Sequence, residues 1–431
     1  MMRKGLMRVY VGGAGSVACA LVAGASASAQ ISGAENMFQR DRNVSVWQRE
    51  RPEYDAGPVQ NGAFLFYPNL NLGLEMDDNI FATSGSEESD TIAIFNPNID
   101  VETTWSRHAL MANASVTRRE YFDFGDESVW NANVGASARI DVVRDAFFQF
   151  GGNYSALTEP RTSAGAAGQA AEPIEYDTSN LFLSGERAVN RIKLQGSVDL
   201  RQFDYDDAPL FGGGIADQDF RDRDELVYTV RGDYAVSPDT ALFARARFNT
   251  KDYDLAPPNV PLQRDSDGYT LDVGADFDIG GVARGVVGVG YTEQSYDDPA
   301  LPDASGASLD VAVEWFPSQL TTITATASRG IEESAVVNSG GFMRTSGSLR
   351  VDHEVRRNWI LTAEARYGDD DYEGVDRSDE RIGASLMATW FVNRNVGVRA
   401  YYDYSDQDSS GAAGLQDYTR NVIGVGFTIR P

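Results

Sequence analysis

From Ala63 to the C-terminus, stretches of period-two hydrophobicity are joined alternately by very short turns and by longer acidic loops. The turns include Val143-Arg144-Asp145, Val189-Asn190-Arg191, Ile279-Gly280-Gly281 and Val355-Arg356-Arg357-Asn358. The loops include Asp204-Tyr205-Asp206-Asp207, Tyr296-Asp297-Asp298 and Tyr367-Gly368-Asp369-Asp370-Asp371. A period of two sends successive side chains to opposite faces of a strand. Strict alternation of the two connection types gathers the short turns at one end of an antiparallel sheet and the loops at the other. That is the threading of a β-barrel in an outer membrane.

The fold class predicted is all-β: a transmembrane, antiparallel, up-and-down barrel of 18 strands, with 16 also compatible. Short turns would face the periplasm and acidic loops the exterior. In the stretch 268–279, Tyr269, Leu271, Val273, Ala275 and Phe277 oppose Thr270, Asp272, Gly274, Asp276 and Asp278. A slip of one residue would turn those carboxylates into lipid, so register is strongly specified. A soluble sandwich also alternates, but not over so many uninterrupted segments. Aromatics gather at strand ends: Trp105, Trp315, Trp359 and Trp390 near short turns, and Tyr121, Phe122, Tyr205, Tyr253, Tyr296 and Tyr367 near loops. Two interfacial belts are the expectation.

Residues 1–29 read as a secretory signal, with Arg3, Lys4 and Arg8 before a weakly apolar run and Ala27-Ser28-Ala29 as the cleavage site. Residues 30–62 are polar and irregular and read as a periplasmic extension; 63–431 is the barrel. The one cysteine, Cys19, lies in the leader, so the mature chain forms no disulfide and no thiolate metal site. The leader carries three of the 37 basic residues and none of the 64 acidic ones, which leaves 34 against 64, a net charge of −30. Such acidity argues against nucleic acid as a partner. No run of 18 apolar residues follows the leader.

At the C-terminus, Ile423, Val425, Phe427 and Ile429 form an apolar stripe with Gly424 and Gly426 opposite. Gly424, Phe427 and Ile429 resemble the terminal signal read by the barrel-assembly machinery, although the chain ends in Arg430-Pro431 and not in an aromatic. Phe64-Leu65-Phe66-Tyr67-Pro68-Asn69-Leu70, followed by Gly73-Leu74-Glu75-Met76-Asp77-Asp78-Asn79, resembles the opening of the family called putative β-barrel porin 2. Asp77, Asp78 and Asn79 carry the motif; Pro97 in the next strand and Trp105, Arg107 and His108 at the first turn also fit. The resemblance implies an outer-membrane barrel accompanying exopolysaccharide or capsule systems, and no defined site.

By parity the inward face carries Arg139, Lys193, Arg201, Arg231, Arg245, Arg247, Asp272, Asp276, Glu314, Arg350, Glu364, Arg366 and Arg399. Two readings stand: the charges line a wet, field-focusing pore, or they pair with one another and stiffen the wall. The aromatic–Asp repeats in the loops offer oxygen ligands for Ca²⁺ or Mg²⁺, which could bridge to lipopolysaccharide phosphates. Their irregular spacing suits a solvated acidic rim better, and no cofactor is expected. His108 and His353 lack any spaced partner, so no catalytic constellation is predicted. Three functions fit: a channel linked to polysaccharide export, a weakly cation-preferring diffusion porin, and a barrel for surface interaction or envelope integrity. The expected location is the outer membrane. The expected partners are its lipid and lipopolysaccharide, the assembly machinery and components of polysaccharide export.

Overall fold

The computed structural model describes residues 44–165, 170–257, 262–336, 338–414 and 417–431. The predicted leader and the start of the extension lie outside the described residues. Eighteen long strands follow in order. They are β1 (Phe64–Asp77), β2 (Asp90–Thr103), β3 (Ala109–Tyr121), β4 (Val129–Val143), β5 (Ala146–Thr158), β6 (Glu175–Val189), β7 (Ile192–Tyr205), β8 (Arg223–Ser237) and β9 (Thr240–Tyr253). The second half comprises β10 (Ser266–Ile279), β11 (Ala283–Tyr296), β12 (Ala304–Ser318), β13 (Thr321–Glu333), β14 (Gly341–Arg356), β15 (Trp359–Tyr372), β16 (Ser378–Phe391), β17 (Val396–Ser410) and β18 (Tyr418–Ile429). Each pairs antiparallel with its chain neighbours, and β1 pairs with β18 from Leu70↔Ile429 to Asp77↔Val422. The sheet is therefore closed and has no free edge. A short strand, Val59–Asn61, turns at Gly62 (φ +61°) onto residues 64–66 of β1, below the stretch that β18 covers.

Connections after even-numbered strands are two to five residues long, and those after odd-numbered strands five to seventeen. Left-handed backbone at Asp145 (φ 61°), Asn190 (φ 55°) and Gly280 (φ 53°) closes three of the tight turns, residue types that reach that conformation at low cost. Bulges sit just before the turns after β4, β8, β12 and β14.

Burial follows the predicted parity, inverted relative to a water-soluble protein. On β10, Leu271 and Val273 are 49% and 59% exposed while Asp272 between them is 3% exposed. Apolar side chains face the bilayer and charges face inward. The predicted loop-side aromatic belt needs correction. Tyr253 and Tyr296 are buried, and Tyr205 lies under the Arg221 guanidinium at 4.0 Å. Tyr253 shares a face with Lys251 and so points inward. The exposed ring set at that end includes Trp130, Tyr154, Tyr228, Tyr291, Tyr367 and Phe122.

Candidate functional site

The inward charges are largely tied to one another. Arg231 donates to Asp233 (2.6 Å) and lies 3.7 Å from Asp276. Arg245 donates to Asp272 and to Asp310, whereas Arg247 stands 3.5 Å from Asp272. Arg350 pairs with Asp352 and Arg366 with Asp403 (2.6 Å). Arg139 pairs with Asp141 at 3.0 Å while stacking on Phe147, and Glu314 pairs with Arg284. Lys193 is buried; Arg201 is opposite Glu225 in register, Glu364 opposite Arg350, and Arg399 opposite Thr389. Pairing cancels net charge locally and braces neighbouring strands. Several guanidinium faces are also covered by rings: Arg231 on Phe243, Arg223 on Phe203 and Arg264 on Tyr253.

These charges concentrate on β8 to β17. The wall from β18 through β1 to β6 has a different chemistry at mid-height. Thr428 donates to Asn71, Asn71 to Asn96, and Asn96 to Thr117. Asn113 donates to Asn133 (2.7 Å), and Asn133 and Asn153 both donate to Ser155. Asn69, Asn98, Asn131 and Asn180 share this face. The result is an uncharged belt of amides and hydroxyls. Each amide offers both a donor and an acceptor, so the belt can exchange hydrogen bonds with water or with a hydroxyl-rich solute. Nothing in the periodicity singled it out, because the asparagines occur one or two to a strand.

At the exterior end, residues outside the aromatic–Asp repeats close the loops. The backbone N–H of the last residue of a rising strand donates to a residue just before the next strand. Tyr205 donates to Asp222 (2.7 Å), Tyr253 to Asp265 (2.7 Å), Tyr296 to Asp303 (3.1 Å) and Tyr121 to Ser128 (2.9 Å). Burial pushes Asp222 up to about 6; the Tyr205 N–H opposes this, and Asp204, Asp219 and Asp254 add to it. Asp207, Asp217 and Asp219 bring carboxylate oxygens within 4.8 Å of one another, all exposed. Two of them also accept backbone N–H groups. Loops reach across the mouth: Arg377, before β16, donates to Ala164 O, between β5 and β6 (3.4 Å), and Arg264 donates to Ser334 O and Phe220 O.

The seam between β1 and β18 explains the opening motif. Asp77, fully buried, receives Arg420 through Nε and Nη2, and Asn79 N–H at 3.1 Å. Asp78 accepts both the backbone and side-chain N–H of Asn421, and Asn79 donates to Thr419 O. The motif clasps the first strand to the last. Gly424 belongs to the same seam: a Cβ there would overlap the Tyr401 ring, which passes over it to donate to Glu75. Phe427 and Ile429 face outward, 46% and 41% exposed.

At the periplasmic end, residues 44–58 of the extension lie against the inner wall. Trp47 Nε1 donates to Asp352 (2.7 Å), and Arg51 and Arg49 both reach Glu354. Of the histidines, His108 accepts Asp141 N–H at the first turn, and His353 on the outer face bonds Thr321.

Solved structures similar to this chain include three outer-membrane proteins of Pseudomonas aeruginosa. The ferric enterobactin receptor PfeA, in a mutant form, is 6% identical with a TM-score of 0.47, over 88% of this chain and 81% of that one. OccK3 (OpdO) is 12% identical with a TM-score of 0.44, over 85% and 96%. OpdK is 10% identical with a TM-score of 0.43, over 87% and 100%. Comparison with curated proteins yields no match. The sequence profile of the family described as "Putative beta-barrel porin 2" matches residues 51–431, which span every strand of the barrel. The chain belongs to the putative β-barrel porin 2 family, a porin-like outer-membrane barrel.

Proposed function

We propose that the barrel is a water-filled channel for neutral or weakly charged polyhydroxylated material, working beside the export of exopolysaccharide or capsule. Barrels of 16–18 strands leave an aqueous channel. The observation that carries the reading is the amide and hydroxyl belt on β18 and β1 to β6, which faces a wall whose charges are mutually paired. A polysaccharide presents hydroxyls on every residue and little apolar surface, so it exchanges its water for such a belt at small cost. Family membership points to a channel and away from catalysis.

The outer membrane is the location that membership implies. Its lipid and lipopolysaccharide would contact the apolar outer wall, and the assembly machinery would read the strand carrying Gly424, Phe427 and Ile429. Divalent cations are not needed for this reading.

Liposome swelling tests the solute class. Neutral oligosaccharides should enter faster than anionic ones of equal size, and Asn113→Ala with Asn133→Ala should reduce that difference. A deletion strain tests the export link: surface polysaccharide should fall. Unchanged polysaccharide would remove the link and leave a general porin, a reading favoured by the acidic excess of 64 over 37 residues.

A further inference from the structure

The geometry points to residues 44–58 as a detachable plug that narrows the periplasmic mouth and opens when the Arg51–Glu354 contact breaks. This rests on the channel reading above and adds regulation to it.

The segment is folded. Ser45 O accepts the N–H groups of Gln48 (3.0 Å) and Arg49 (3.1 Å), and Arg51 O accepts those of Tyr54 and Asp55 (both 2.7 Å). Arg51 ties the two turns together by donating to Val46 O (2.7 Å) and Arg49 O (3.1 Å). Val46 and Arg51 are 0% and 3% exposed, although neither belongs to the barrel. A compact turn of chain is about 10 Å across with its side chains. The mouth it enters is roughly 36 Å from backbone to backbone at this strand number, spacing and tilt. The segment therefore narrows the opening from one side, over about a quarter to a third of its width.

Its contacts lie on one sector of the rim. Gln48 accepts from Arg284 at the start of β11, and Val46 N–H donates to Thr322 at the start of β13. Trp47 bonds Asp352, and its ring meets Phe391, the last residue of β16, edge to face at 6.4 Å. Every one of these contacts uses a wall side chain. Among the described residues, no backbone–backbone hydrogen bond joins 44–58 to the barrel, and the strand ladder is complete without it. The segment can leave without breaking the sheet. Asp55-Ala56-Gly57-Pro58 then leads to the short strand Val59–Asn61, which stays paired to β1 and tethers it.

Glu354 is the latch. Its carboxylate is 2% exposed, and among the described residues its ion pairs are with the segment, Arg51 at 3.0 Å and Arg49 at 3.4 Å. An amide at this position cannot neutralise two guanidinium groups, so its replacement releases the plug without removing a wall residue.

Single-channel recording in planar bilayers tests this with refolded mature protein, heat-modifiable migration confirming folding. Four forms are compared: the unchanged chain, Glu354→Gln, a deletion of 44–57, and Val46→Cys/Thr322→Cys on the Glu354→Gln background. The mature sequence has no other cysteine. The unchanged chain should reside mainly at a low conductance level. Glu354→Gln and the deletion should hold a resolvably higher level, and oxidation of the cysteine pair should restore the low level until dithiothreitol is added. Equal conductance in all four forms would overturn the plug and leave the channel reading standing. Silence in all four, the deletion included, would overturn both.

Discussion

Removing Asp77 should open the barrel at its seam. The β1–β18 ladder has eight registered residue pairs, against fourteen between β1 and β2. Asp77 stands at its exterior end with no exposure, holding Arg420 by three contacts of 2.5–3.0 Å and accepting Asn79 N–H. Asp77→Ala leaves Arg420, whose side chain is 10% exposed, without its carboxylate. Breaking a buried pair from one side costs about 3–5 kcal/mol, a large share of a typical stability of about 5–15 kcal/mol. The control is Glu120→Ala, which breaks the Arg118–Glu120 pair on the outer wall, where the carboxylate is half exposed; about 0–1 kcal/mol is expected there. Guanidinium titration of refolded protein in detergent micelles, followed by tryptophan fluorescence and heat-modifiable migration, reads both. Arg420→Gln added to Asp77→Ala should cost little more, since the two act as one unit. A loss for Asp77→Ala no larger than the control's would refute the clasp.

Three further outcomes follow from the same geometry. Gly424→Ala should cost about 1–3 kcal/mol through overlap with Tyr401 and slow refolding; Tyr401→Ser should relieve it, and equal refolding of Gly424→Ala and the parent would contradict this. Asp265→Ala removes the acceptor of Tyr253 N–H and of Gln263, a loss of about 1–3 kcal/mol for a buried donor, visible as faster exchange of the Tyr253 amide. Asp222 should titrate near 6 by carbon NMR. Its folded value lies above the usual 3.8, so its ionisation opposes the folded loop above pH 6 and the penalty disappears as pH falls from 6 toward 3.8. Asp222→Asn should therefore protect the loop from proteolysis most at pH 8, by roughly half as much at pH 5, and not below pH 3.8; a midpoint near 4 would contradict the burial argument.

The barrel was legible because each strand states its own orientation. Asp272 between Leu271 and Val273 admits one facing, and similar alternation recurs along the barrel even where single strands depart from it, as at Leu181-Phe182-Leu183. The inward tyrosines were legible by the same parity, since Tyr253 follows Lys251 by two residues. Position at a strand end suggested a lipid belt instead, and parity is the stronger rule because burial depends on the face. The role of Asp77, Asp78 and Asn79 was not legible: Arg420 and Asn421 are 343 residues away from Asp77 and Asp78, and only closure brings them together. The asparagine belt is dispersed over six strands and forms a row only through register. Residues 44–58 have no periodicity to read, because they bind through single side chains.

The channel itself is tested most directly by planar-bilayer conductance of refolded residues 30–431, with and without a neutral oligosaccharide. Discrete steps with a mild cation preference, interrupted by oligosaccharide-dependent blocks that shorten when Asn113 and Asn133 are changed to alanine, are the predicted result. A correctly folded barrel that shows no steps, even without residues 44–57, would contradict the account.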